Sequence, residues 1–167
     1  LARVQAALPD LAGGLLADGL EARAVAAVIA AEGRAMTARA AEIAEAELVA
    51  EGAGPAPADY ALLVLGSGGR GESLLAPDQD NALVIADSYA GDLDAPGDWF
   101  TRFAVRFTEI LDQAGIPLCK GGVMARNRPW RRRLSEWRTQ LEAWSHKPEP
   151  QALLNVGDPA GYDLFVI

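Results

Sequence analysis

Leu65-Gly66-Ser67-Gly68-Gly69-Arg70-Gly71-Glu72-Ser73-Leu74-Leu75-Ala76-Pro77-Asp78-Gln79-Asp80-Asn81 is the stretch on which the reading of this chain turns. It joins two apolar runs, Tyr60-Ala61-Leu62-Leu63-Val64-Leu65 and Asn81-Ala82-Leu83-Val84-Ile85-Ala86, each with the length and character of a buried β-strand. Two motifs compete for its glycines. Gly66, Gly68 and Gly71 have the G-x-G-x-x-G spacing of a dinucleotide-binding turn, and Asp87 ends the next run at a suitable distance. Such a turn must open a crossover of about a dozen residues, mostly helix, before a parallel strand. Here Pro77 interrupts the short interval, and Asp78 and Asp80 fall where that helix would end. The dinucleotide reading therefore fails on its structural requirement.

The second motif is Gly66-Ser67, ten intervening residues, then Asp78-Gln79-Asp80 at the mouth of the second run. Residues two apart in an extended chain point to one face, so Asp78 and Asp80 present both carboxylates to one place. Two hard oxygen ligands suit Mg²⁺ (or Mn²⁺), which fills its other positions with water and substrate phosphate. Glycines at 66 and 68 let backbone N–H groups approach a polyphosphate, Ser67 offers a hydroxyl, and Arg70 can neutralise the leaving charge. The plainer alternative is a polar turn capping a strand, as Gly/Pro/Asp clusters often are. The combination with Gly66-Ser67 outweighs it. Glu72 reads as solvated or paired with an arginine. Paired-metal chemistry usually needs a third carboxylate. Asp163, opening the run Leu164-Phe165-Val166-Ile167, is the best candidate, with Asp158 second in a turn-like Gly157-Asp158-Pro159.

Outward from this centre, the first fifty residues are rich in Ala, Leu and Glu with one proline, Pro9. Leu8, Leu11, Leu15 and Leu16 have helical spacing until Gly19. A long helix is expected over residues 21–51, with Val25, Val28, Ile29, Met36, Ile43 and Leu48 on its apolar side. An antiparallel helical pair is the simplest arrangement, and Gly52-Ala53-Gly54-Pro55-Ala56-Pro57 reads as a linker. The domain expectation is thus a helical region, 1–54, and a core, 55–167. Residues 98–114 predict another helix through Phe100, Phe103, Val105, Phe107, Ile110 and Leu111, closed by Gly115, and Gly121-Gly122 marks a turn.

Asn127 and Pro129 predict a helix start, with Trp130, Leu134, Trp137, Leu141 and Trp144 forming one apolar stripe. Core packing is the main reading of that stripe and a base-stacking platform the alternative. The cluster Arg126, Arg128, Arg131, Arg132 and Arg133 reads as a solvated helix face, or alternatively as a phosphate contact. Cys119 reads as a small packed side chain, and His146 as a carbonyl cap or a solvated ring.

Half of the 167 residues are hydrophobic and 23% are charged, a balance that predicts a folded globular chain. Net charge is −8, which argues against nucleic acid as a partner. Residues 120–147 nevertheless hold eight basic residues against two acidic ones, leaving about −14 elsewhere, an asymmetry that suits an anionic ligand. A single cysteine and a single histidine exclude a Cys/His zinc cluster, so a metal would be held by carboxylates. No apolar run is long enough to cross a bilayer and no leader pattern opens the chain, so no membrane role and a cytoplasmic location are expected. The chain begins at a non-Met residue in mid-pattern, as a fragment of something longer would.

Taken together, Leu65-Gly66-Ser67-Gly68-Gly69-Arg70-Gly71-Glu72, Asp78-Gln79-Asp80-Asn81-Ala82, Gly121-Gly122-Val123-Met124-Ala125 and Trp130-Arg131 through Trp137 resemble the nucleotidyltransferase superfamily related to DNA polymerase beta. The closer likeness is to a bacterial family assigned as nucleotidyltransferases, similar to the catalytic domain of protein-PII uridylyltransferase and often fused to CBS and cyclic-nucleotide-binding domains. The resemblance implies an α+β fold, a small mixed sheet flanked by helices and preceded by an N-terminal helical hairpin. It also implies Asp78 and Asp80 as metal ligands, with Gly66 and Ser67 holding the nucleotide phosphates and the segment Gly121-Gly122-Val123-Met124 lining the site. A helical substrate-binding domain should follow residue 167, and the setting would be signal transduction. The stretch Asn155-Val156-Gly157-Asp158-Pro159-Ala160-Gly161-Tyr162-Asp163 departs from the family's third-strand segment, which weakens Asp163 most.

The expected function is transfer of a nucleoside monophosphate from ATP or UTP to a protein or small-molecule acceptor. A catalytically silent nucleotide-binding module of the same fold is the alternative, and a helical interaction segment with an incidental motif is the third. A homodimer is left open.

Overall fold

The computed structural model describes residues 1–73, 75–146 and 165–166. Two helices come first, α1 (Ala2–Ala17) and α2 (Ala22–Ala50). They are followed by β1 (Tyr60–Val64), the single helical turn α3 (Gly66–Gly69), β2 (Asn81–Ile85) and α4 (Trp99–Gln113). A 3₁₀ turn (Arg128–Trp130), β3 (Arg131–Arg133), α5 (Leu134–His146) and β4 (Phe165–Val166) complete the described chain. The sheet order is β3-β2-β1-β4. β1 runs antiparallel to both β2 and β4, with Leu62 opposite Leu83, while β3 runs parallel to β2, with Arg132 beside Val84. The sheet is mixed, as expected, and the antiparallel β1–β2 pair removes the dinucleotide alternative, which needs parallel strands.

Period-two alternation decides what each sheet face buries. Leu62, Leu83 and Ile85, with Tyr60 beside them, face α2 and α4 in the larger core. Leu63, Ala82 and Val84 face the opposite way, onto Trp130, Trp137 and Trp144. α4 is the keystone of the larger core. Asp98 caps it by accepting from the Thr101 N–H at 3.1 Å, and Phe100, Phe103, Phe107 and Leu111 recur at helical spacing, each at most 1% exposed. Alanines 40, 41 and 44 are buried on α2, where small side chains let it lie close to α4. Leu8, Val25 and Leu48 belong to the same core as Leu62 and Phe103, so the helical region shares its interior with the sheet.

α1 starts earlier than the leucine spacing predicts and continues through Pro9, with Leu8 and Ala12 buried but Leu11 and Leu16 exposed. The expected helix over residues 21–51 forms as α2, and the expected helix over 98–114 as α4.

The stripe from Trp130 to Trp144 is not one helix, and this corrects the sequence expectation. Arg131, Arg132 and Arg133 form β3 because the open edge of β2 takes them as partners, against Leu83, Val84 and Ile85. α5 begins only at Leu134, where Glu136 reaches back to accept the Arg133 N–H at 2.7 Å and Asp87 accepts from the Ser135 N–H at 2.9 Å. Leu134 and Leu141 are consequently exposed. The three tryptophan rings pack on one another, with centroids 6.0–6.4 Å apart, over Ala82. They are occupied as core rather than as a stacking platform. Trp137 also donates Nε1–H to the Leu83 carbonyl at 2.8 Å. Trp137→Phe keeps most of the ring area and deletes that bond, so denaturant unfolding should show a loss of about 1–2 kcal/mol. An unchanged midpoint would mean that water replaces the donor.

Candidate active site

β1 delivers the chain into α3, and β2 leaves from the two aspartates, so the strand pair brings both motif halves to one end of the sheet. Leu65 N–H donates to the Asp80 carbonyl at 2.9 Å, which fixes the Gly-Ser turn beside Asp80. Regular β2 starts at Asn81, yet the extended run begins earlier, since Gln79 bridges Leu118 in parallel fashion. Gln79 is 3% exposed and donates its amide Nε2 to the Thr108 and Ile116 carbonyls, each at 2.9 Å. Asn81, 2% exposed, accepts from the Ala125 N–H at 2.9 Å. These two buried amides anchor the strand from inside, and Asp78 and Asp80, alternating with them, are left at the cleft.

Gly66 adopts φ +58°, in the left-handed region, and a Cβ built on it would collide with Asp80 Oδ2. Glycine is demanded there on both counts. Gly66, Ser67 and Gly68 open the α3 turn, whose first N–H groups have no partner within the helix. Ser67 and Gly68 line a cleft with Asp78 and Asp80, closed on its far side by Ile29, Gly33 and Arg34 of α2.

One potential ligand atom from each of Asp78, Asp80 and Cys119 lies within 4.8 Å of the others. Burial pushes the Asp80 carboxyl above its ordinary value and the neighbouring Asp78 charge adds to this, while a hydrogen bond from the Cys119 thiol opposes both. Burial likewise pushes the Cys119 thiol up, so at neutral pH it is a protonated donor to Asp80. Cys119 is therefore more than the packed side chain its sequence context suggests. Two carboxylates crowded beneath a half-buried site fit a hard divalent cation, whereas a neutral thiol does not ligate one. The residues present accordingly fit Mg²⁺ or Mn²⁺ through Asp78 and Asp80. Asp163 and Asp158 lie outside the described residues.

The other expected site residues are placed apart from the cleft wall. Arg70 is exposed and paired with Glu72, Nε to Oε2 at 3.0 Å. Gly121 and Gly122 form a turn beside Cys119, with Gly122 at φ +74°, and neither is among the residues that line the cleft. The arginine cluster is not a solvated helix face, because Arg131, Arg132 and Arg133 lie in β3. Arg131, 3% exposed, donates to the Ala125, Arg126 and Leu93 carbonyls. Arg133 holds the Tyr89 and Gly91 carbonyls, and Arg128 pairs with Glu136 and Asp94. Arg132 donates to Pro129 and lies over Trp137, and Arg126 pairs with Glu109. His146 Nδ1 sits 2.7 Å from the Glu142 carbonyl, within the expected role.

Sequence reasoning missed Gln79, Asn81, Cys119 and Arg34. For the first two a signal existed, because the alternation that sends Asp78 and Asp80 outward sends two polar amides inward. Cys119 comes beside Asp80, and Arg34 into the cleft, through tertiary packing. Among the described residues no helix is long and apolar enough to cross a membrane.

The family model described as "Putative nucleotidyltransferase DUF294" matches residues 6–151. No curated protein and no solved structure matches the chain.

Proposed function

Since the chain belongs to the DUF294 nucleotidyltransferase family, we propose that it moves a nucleoside monophosphate from ATP or UTP to a protein or small-molecule acceptor, with Mg²⁺ or Mn²⁺ held by Asp78 and Asp80. The observation that carries this reading is that Asp78 and Asp80 line one cleft with Ser67, with Gly66 so close to Asp80 that no side chain fits between them. Bound at these carboxylates, the divalent ion would supply positive charge against the α-phosphate and the departing pyrophosphate.

The protein's part is positioning. The first N–H groups of α3, which have no partner within the helix, and the Ser67 hydroxyl offer donors to phosphate oxygens. Gln79 and Asn81, locked to backbone groups of three other segments, keep the carboxylates from turning away. In the transfer the acceptor hydroxyl releases its proton to solvent as its oxygen bonds to Pα, the bond from Pα to the bridging oxygen breaks, and pyrophosphate leaves. Asp163 is retained in this proposal as the third carboxylate, and Gly121 and Gly122 as a border of the site. The helical region of residues 1–54 contributes one wall through α2, and the core of residues 55–167 the other.

Incubation with α-labelled ATP or UTP and candidate acceptors, with Mg²⁺ or with EDTA, tests the proposal. Label transfer that EDTA abolishes supports it, and transfer indifferent to EDTA contradicts it. A silent nucleotide-binding module remains a second reading, because the third group gathered with Asp78 and Asp80 among the described residues is Cys119 rather than a carboxylate. Metal-dependent triphosphate binding with no transfer to any acceptor would favour that reading.

A further inference from the structure

A triphosphate entering this cleft brings about four negative charges to a site that already holds two aspartates, so positive charge from the protein is at a premium. Arg70, the basic residue nearest in sequence, is exposed, tied to Glu72 and absent from the cleft lining. Among the described residues lining the cleft, the charged ones are Asp78, Asp80 and Arg34. Arg34 projects from the middle of α2, and its Nη1 donates to the Gly68 carbonyl at 3.0 Å, thirty-four residues away in sequence. This contact grips the turn at the residue after Gly66-Ser67. One residue therefore both ties α2 to the Gly66-Ser67 turn and brings a cation into the lining of the cleft that holds the aspartates.

We propose that Arg34 is the cationic residue of this site: it positions the Gly66-Ser67 turn through Gly68 and balances the charge of the β- and γ-phosphates. This inference rests on the nucleotidyltransferase reading and assigns to the helical region a part in the chemistry of the site. A guanidinium is suited to the task because it stays charged at any relevant pH and presents its N–H donors in a fixed plane that matches phosphate oxygens. α2 is a rigid 29-residue helix packed along the core, so the charge is delivered from a fixed platform rather than a loop.

Calorimetric titration of the whole chain with Mg²⁺ and a non-hydrolysable triphosphate, beside the matching monophosphate, separates the possibilities. Arg34→Ala should weaken triphosphate binding by about tenfold or more and leave monophosphate binding within about twofold. Arg34→Lys, which keeps the charge but not the fork, should recover part of the loss and serves as the folded comparison if the alanine variant melts early. Arg70→Ala should bind as the wild type does. Triphosphate affinity unchanged in both Arg34 variants, or an equal loss in Arg70→Ala, overturns the assignment while leaving the wild-type reading intact. Equal loss for triphosphate and monophosphate reduces Arg34 to a structural contact and overturns the charge-balancing role. A wild-type protein that binds no triphosphate at all overturns this inference together with the reading beneath it.

Discussion

Asp80→Asn is expected to cut nucleotidyl transfer by on the order of 10³-fold while making the metal-free protein more stable. The loss follows from charge: the variant keeps the shape and removes one carboxylate charge from the metal's ligands, and metal stabilisation of a phosphoryl transition state is worth several kcal/mol at about 1.4 kcal/mol per tenfold. The gain follows from the same burial. Asp80 has its folded-state pKa raised, chiefly by burial and further by the Asp78 charge. A carboxyl whose folded pKa lies above its unfolded value holds its proton more tightly when folded. Its ionised form therefore costs stability at neutral pH, and that cost disappears as pH falls below the ordinary carboxylate range. Thermal melting without metal should accordingly rise in Asp80→Asn at pH 7, and the difference from wild type should shrink toward about pH 3. Added Mg²⁺ should stabilise the wild type and leave the variant unmoved. A variant that melts lower than wild type at pH 7 would show that Asp80 is a structural anchor rather than a strained ligand.

Gly66→Ala should damage the site far more than one added methyl group would elsewhere in the Gly-rich turn. The residue sits at φ +58°, where an L side chain costs about 1–2 kcal/mol. Its Cβ would also collide with the Asp80 carboxylate. The collision can be relieved only by moving the turn or by displacing Asp80, and either shift spoils the site. A displacement near 1 Å at a catalytic group can cost about 10²-fold. Turnover by Gly66→Ala should thus fall by about two orders of magnitude even at temperatures where circular dichroism shows it fully folded. Gly71→Ala makes the contrast, since Gly71 also has positive φ, at +72°, but a Cβ there would meet no atom within 4 Å. That variant should lose stability and keep turnover. Equal activity losses in the two would reduce the Gly66 effect to backbone strain.

Much of the architecture was legible because the signals were local. The continuous apolar runs at residues 60–65 and 81–86 became β1 and β2, and the aromatic spacing from Phe100 to Leu111 became α4. The residues around Trp130 misled because their periodicity is helical while their neighbours are not. The free edge of β2 recruits Arg131, Arg132 and Arg133 into a strand, and no local pattern in three consecutive arginines announces that. The Asp78-x-Asp80 pair was readable from period-two geometry alone. The cleft's remaining polar groups were not. Arg34 reaches the turn across a helix–turn contact, and Cys119 reaches Asp80 because Gln79 pairs with Leu118 and draws the 117–123 segment alongside. Nor does the sequence show that Arg70, so near the turn, is exposed and pairs with Glu72.

The most direct measurement is a crystal grown with Mn²⁺ and a non-hydrolysable nucleoside triphosphate, with diffraction recorded at the manganese absorption edge. The account predicts an anomalous peak in contact with one carboxylate oxygen each from Asp78 and Asp80, with phosphate density running along the Gly66-Ser67 turn toward Arg34. Manganese bound elsewhere, or a triphosphate seated away from that turn, would contradict it.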